Sequence, residues 1–280
     1  LTDLLSAFET MAAVSRDAIE NPDRWDLVPS RAARTQSSAK QGWGPFGRTA
    51  SLRRLRSINY VPEEKLMNDY EAFGVRLGEL FHGDRYARAA ELARRFWTEP
   101  FTGRYFHVLA DRDRPNEITE IDIVAVSMLG VTIPAPVAVS LLTGDERGAV
   151  GELLAQIPLD ADIWDAEDRL EQGEPLWSLW DLLNRISWPT STLANDMGQT
   201  KISKLLATKR PRLVPVFDSV VAKLFPAVDN YWAAFAHALA DVNDRLTLSI
   251  VCGGEYVPEE AGFLRRLDAV LWMIGHEPDW

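Results

Sequence analysis

The sequence holds one cysteine, Cys252, in 280 residues, and that scarcity removes several chemistries at once. No internal disulfide can form, nor any iron–sulfur cluster held by several thiolates, so a reducing compartment, the cytoplasm, is the expected setting. The four histidines, His82, His107, His237 and His276, are scattered without metal-ligand spacing, so no metal and no cofactor is expected. G-x-S-x-G, a phosphate-binding loop and a zinc motif are all missing. The one glycine fingerprint, Gly42-Trp43-Gly44-Pro45-Phe46-Gly47, has no expected strand before it and contains Pro45, so it fails the context that a dinucleotide site requires.

Long alternating apolar patterns are also lacking. Apolar residues recur instead at helical spacing, so the sequence predicts an all-α protein. Helices are expected near 2–20, 62–82, 84–97, 120–130, 135–157 with a break at Gly144, and 175–187. Further ones are expected near 199–209, 219–225, 230–252 with a break, and 259–275. Thr119 followed by Asp122 spells a capping box, while Pro62 and Pro258 suit the first turn of a helix. The opening LTDLLSAFETMAAVS has no basic start or cleavage site and reads as an amphipathic helix rather than a secretory signal.

One uncharged run of 20 residues, Ile123 to Leu142, reaches membrane-spanning length. Pro134 and Pro136 stand in its middle, so two buried helices joined at the prolines are expected, and no membrane partner. With 46% hydrophobic residues the chain has ample material for a core. Residues 1–60 are read as an N-terminal helix and a basic, Ser/Gly-rich arm, and 61–280 as an all-α domain.

Net charge is −11, which on a uniform surface would disfavour nucleic acid, because phosphate contacts dominate that affinity. The charge is segregated. Seven bases and no acid lie between Arg31 and Ser57, whereas ten acids face only Arg147 and Arg169 between Asp145 and Glu174. The acidic stretch spaces its carboxylates almost as a calcium loop does, but Trp164 and Asp165 stand where an oxygen ligand and a turn glycine belong, so a solvated connection is expected.

The second basic stretch, MGQTKISKLLATKRPRLVPVFDSVV at 197–221, carries five bases and no acid before Asp218. Ile202, Leu205 and Leu206 fall on one helical face and Lys201 and Lys204 share another. Gly198 precedes this helix, where a turn could bring backbone N–H groups to an anion. Lys209, Arg210 and Arg212 add charge at its end. Asp218 opens the next helix, where aspartate is also among the best N-caps, so capping and chemistry both remain open for it.

Two resemblances attach to these residues. KISKLLATKRPRLVPVFDSVV, with RPNEITEIDIVAVSMLGVTIP upstream and LRRLDAVLWMIGH downstream, resembles an uncharacterised actinobacterial family, a domain of unknown function, over about residues 95–275. More locally, Gly198 followed by a helix and by Pro215-Val216-Phe217-Asp218 resembles the helix-hairpin-helix DNA glycosylase superfamily over about 25 residues. There the hairpin glycine is followed about twenty positions later by a catalytic aspartate, and 20 positions separate Gly198 from Asp218. Two positions depart from that pattern. The family's hairpin reads Gly-x-Gly where this chain has Asp196-Met197-Gly198, and the Schiff-base lysine of bifunctional members falls on Thr200, with Lys201 rotated by about 100°.

The resemblance implies a double-stranded DNA partner, with Gly198, Lys201, Lys204, Lys209, Arg210 and Arg212 holding phosphates. It implies Asp218 as the catalytic carboxylate of a monofunctional base-excision enzyme, and leaves Trp188 open as a wedge or stacking surface or, more commonly for tryptophan, a packing residue of the core. It also implies two helical lobes, 99–216 and 61–98 plus 217–280, with Asp218 in the cleft between them. The alternatives are a non-catalytic DNA-binding protein and a partner-binding regulatory protein that works through its acidic surface.

Overall fold

The glycine at 83, with φ of 62°, turns the chain between its first two described helices, α1 (Glu63–Leu80) and α2 (Arg85–Thr98). In this computed structural model, residues 63–144, 146–186 and 197–280 are described. The helix expected at 2–20, the basic arm at 31–57, the Gly42–Gly47 motif, Trp188 and Asp196 lie outside them. The described residues form α-helices and short 3-10 turns, with no strand among them. The all-α expectation holds.

After α2 come α3 (Phe106–Leu109), α4 (Glu120–Ser127), α5 (Ala135–Thr143) and α6 (Glu146–Gln156). Thr119 and Asp122 form the expected capping box at α4. The long apolar run is broken after Ser127 and restarts at Ala135 behind Pro134, because proline cannot donate to a continuing ladder. Among the described residues no helix is long and apolar enough to cross a membrane. The acidic stretch forms two 3-10 turns, Ile163–Asp165 and Glu167–Leu170, which bury Ile163 and Leu170.

The remaining helices are α7 (Pro175–Arg185), α8 (Gln199–Lys209), α9 (Ser219–Ala222), α10 (Tyr231–Ala238), α11 (Val242–Val251) and α12 (Phe263–Ile274). The sequence predicts a helix starting at 259. Instead Glu259–Ala261 is a 3-10 turn, because Gly262 adopts φ of 77° and redirects the chain before α12.

The two ends of the described chain pack on each other: α1 lies on α10, and α2 lies on α12 and α11. Phe73 of α1 stacks on Phe225 at 4.2 Å and meets Phe235 edge-on at 5.0 Å, a geometry favoured by the ring quadrupoles. The middle segment packs on itself, α4 on α3 and α8, and α6 on α5 and α7. Trp232 of α10 joins the two groups by inserting beside Trp177 and Trp180 of α7.

Candidate active site around Asp218

Helix α8 carries most of the basic stretch, and every residue from Ile202 to Lys209 is buried. The expectation of one apolar and one charged face therefore gives way to a helix enclosed on all sides. A helix in that position must find partners for its polar side chains inside the protein.

Ser203 does so by clamping the chain at Phe217. Its Oγ donates to the Phe217 carbonyl at 2.9 Å, and the Phe217 N–H donates back to Oγ at 3.3 Å. Asp218, one residue on, is thereby delivered beside Lys204, one residue past Ser203. The Phe217 ring packs on Tyr231, centroids 3.6 Å apart, which fixes the clamp from the other side.

The capping reading of Asp218 is met in its contacts. As N-cap of α9, its Oδ1 accepts from the N–H groups of Val220 at 2.9 Å and Val221 at 3.1 Å. Its Oδ2 faces Lys204 Nζ at 3.3 Å, and Nζ also donates to the Leu129 carbonyl at 2.9 Å. The Asp218 side chain keeps 12% of its surface accessible, against 4% for Lys204. A carboxylate held this way is fixed in position yet reachable.

Asp218 lines two clefts. The outer one, of about 470 Å³, is bounded by Gln199 and Thr200 at the start of α8, by Phe73, Phe217 and Tyr231, and by the exposed Lys223. Gly198 gives α8 no side-chain cap, so the first N–H groups of that helix end beside this cleft. The Tyr231 hydroxyl is buried and has no protein partner, and burial together with the charges of Asp268 and Asp218 drives its pKa well up.

The inner cleft, of about 160 Å³, adds Lys204, Arg265 and Asp268 to Asp218, with Phe96, Phe101 and Trp272 as apolar walls. Arg265 pairs with Asp268 through Nη1 and donates from Nη2 to the Gly103 carbonyl at 2.9 Å. Its guanidinium also lies over the Phe96 ring at 5.1 Å. A side chain on Gly103 would press on Phe96 and Arg265 at 3.0 and 3.2 Å, so glycine permits this close approach. Burial pushes the Asp268 carboxyl up to about 6; Arg265 opposes that rise and the charge of Asp218 adds to it.

The other expected phosphate ligands do not reach this surface. Lys209 is buried and pairs with Asp122 while donating to the Asp111 and Arg114 carbonyls. Arg210 is 1% exposed and serves a set of carbonyls, Ile157, Pro115 and Lys209 among them, with Asn116 Oδ1. With no acid beside it, burial lowers its guanidinium to about 10. Arg212 is exposed and forms a two-point ion pair with Asp162 of the acidic stretch. Lys209 and Arg210 are spent on the fold, which corrects their expected role, whereas the Arg212 side chain stays exposed. Lys201 is half-buried at the start of α8.

Arg265, Asp268 and Tyr231 were not singled out from sequence. A signal was present in FLRRLDAVLW, because Arg265 and Asp268 fall among Leu264, Leu267, Val270 and Leu271, the residues that α12 buries. Charges three apart on an apolar helix face need a reason to be there.

Residues 89–275 match the family described as "Family of unknown function (DUF6308)", and the chain belongs to that family. No curated protein and no solved structure matches it.

Proposed function

For a chain in the DUF6308 family, whose description assigns no activity, we propose a function from geometry: a helix-hairpin-helix type DNA-binding protein that hydrolyses an N-glycosidic bond. The observation that carries this reading is the Asp218 carboxylate. Two backbone N–H groups and Lys204 fix it on a wall shared by two clefts, and one of those clefts is bounded by the helix start that follows Gly198, which stands twenty positions before Asp218.

Breaking a bond between C1′ and a base builds positive charge on the sugar, and a preorganised carboxylate stabilises that charge as it forms. The base must first leave the duplex stack, and the inner cleft beside Asp218, walled by Phe96, Phe101 and Trp272, suits an unstacked flat ring. Phosphates would be held by the first N–H groups of α8 behind Gly198, with Lys201 and Lys223 nearby. Thr200 stands at the Schiff-base position, so release occurs without strand cleavage by that route. The two packed helix groups would form the two lobes, 61–98 plus 217–280 and 99–216, with Asp218 in the cleft they share.

One observation favours a non-catalytic DNA-binding protein instead. Both Asp218 oxygens already have partners, Oδ1 with two N–H groups and Oδ2 with Lys204. Duplex binding and base release separate the readings. Binding at about 50 mM salt that weakens steeply as salt rises, with base release that Asp218→Asn abolishes while binding persists, supports catalysis. Binding without release by the native protein supports the second reading, and absence of binding at low salt removes both.

A further inference from the structure

We propose that Asp268 is a second catalytic carboxylate, the acid that protonates the departing base while Asp218 faces the sugar. This assignment rests on the N-glycosidase reading above. Both acids line the inner cleft, whose aromatic walls Phe96, Phe101 and Trp272 can receive a flat ring.

The two carboxyls share one cleft but not one environment. Asp218 accepts from two backbone N–H groups and pairs with Lys204, which fixes its carboxylate at the cleft wall. Asp268 stands on the buried face of α12 at 5% exposure. Facing it are Arg265 on its own helix, Lys204 on α8, Asp218 at the start of α9 and the Tyr231 hydroxyl on α10. Arg265 favours its charged form, whereas burial and the neighbouring negative charge oppose it. A carboxyl that burial holds toward its protonated form, on the same cleft as a second carboxylate, can serve as the acid.

The step balances as follows. The C1′–N bond breaks and its electron pair goes to the base, whose ring nitrogen takes the proton from Asp268. Water forms the new C1′–O bond and gives a proton to the Asp218 carboxylate. The products are the free base and a sugar hydroxyl, and exchange with solvent returns a proton to Asp268 and removes one from Asp218.

Asp268 also braces Arg265 and Gly103, so lost activity in a variant would not by itself identify an acid. The test compares two duplexes under single-turnover conditions, one carrying hypoxanthine and one carrying 7-methylguanine, a cationic base that leaves without being protonated. Asp268→Asn is expected to slow hypoxanthine release by about a hundred-fold or more, as for loss of a general acid, and 7-methylguanine release far less. In the native protein, hypoxanthine release should fall as pH rises through about 6, while 7-methylguanine release does not follow that limb.

Equal losses on both duplexes, or no shared difference in pH profile, overturn the role of Asp268 and leave the glycosidase reading standing. No release of either base by the native protein overturns that reading and this assignment with it. Should Asp268→Asn fail to fold, as judged by circular dichroism, the native pH comparison decides alone.

Discussion

Lys209 Nζ lies 2.5 Å from Asp122 Oδ2, and neither side chain has any exposed surface. The same carboxylate accepts from the Thr119 N–H and hydroxyl, each at 2.8 Å, and from the Asp111 N–H at 3.1 Å. The end of α8 is thereby tied to the start of α4. Removing one member strands the other as a buried charge, so Lys209→Met should cost about 3–5 kcal/mol, read as a lowered midpoint in denaturant. The double variant with Asp122→Asn should recover much of that loss, since asparagine retains capping ability and no charge is left behind. A Lys209→Met protein of native stability would show that the pair contributes nothing.

That pair explains why part of the site was legible in sequence and part was not. Helix positions follow from local rules, such as the Thr119 capping box and Pro134, which act within a turn or two of the chain. The nearness of Asp218 to α8 came from a resemblance in spacing, and the Ser203–Phe217 clamp is its physical cause. The destinations of Lys209 and Arg210 depend on carbonyls 53 to 98 positions away, which no local pattern encodes. A basic run spells a charged surface only where one side of its helix meets water, and α8 has no such side beyond its first turn. Asp268 and Arg265 were hidden for the converse reason: they interrupt an apolar face that the hydrophobic period alone describes well.

Two buried groups should bend stability in opposite directions with pH. Burial lowers His107 from 6.5 to about 4, with Arg265 adding to the effect, and neither ring nitrogen has a partner. The unfolded chain therefore takes up a proton first, and the stability contributed above pH 6.5 is lost as pH falls toward 4. Asp268, raised from 3.8 to about 6, contributes stability below 3.8 that is lost as pH rises through 6. Between pH 4 and 6 the two slopes offset each other. His107→Phe should make Tm climb as pH is lowered across that window, and Asp268→Asn should make it drop more steeply than in the native protein. Parallel profiles for the two variants would refute the assignment of either group.

Cys252 is wholly buried at the end of α11, and burial pushes its thiol up to about 12 against an opposing effect of Arg266. A thiol with neither exposure nor thiolate character is inert in the native state. At pH 8 an aromatic disulfide reagent should label the folded protein only as fast as the α11 region opens, and should label it at once in denaturant. The chain has no other cysteine, so the labelling rate reports one site. Immediate stoichiometric labelling of native protein would mean that α11 is not packed as described.

Two glycines flank the machinery of Asp218 and should respond in opposite ways to alanine. At Gly275 an added Cβ would lie 2.5 Å from Val220 Cγ1, and Val220 is one of the two residues whose N–H groups hold the Asp218 carboxylate. Gly275→Ala must therefore displace the Val220 side chain or the backbone that carries it, and overpacking of this kind costs about 1–3 kcal/mol. Gly198 has φ of −69°, an ordinary value, and open space where a Cβ would point, so Gly198→Ala should fold with a loss of about 1 kcal/mol or less, the difference between the two as helix caps. Its value as a probe lies in that mildness. If duplex phosphates approach the first N–H groups of α8, the extra methyl at Gly198 should weaken DNA binding at low salt while Tm hardly changes. Unchanged binding in a folded Gly198→Ala protein would move the phosphate contacts elsewhere, to Lys201 and Lys223, and separate the start of α8 from the role that its spacing to Asp218 suggests.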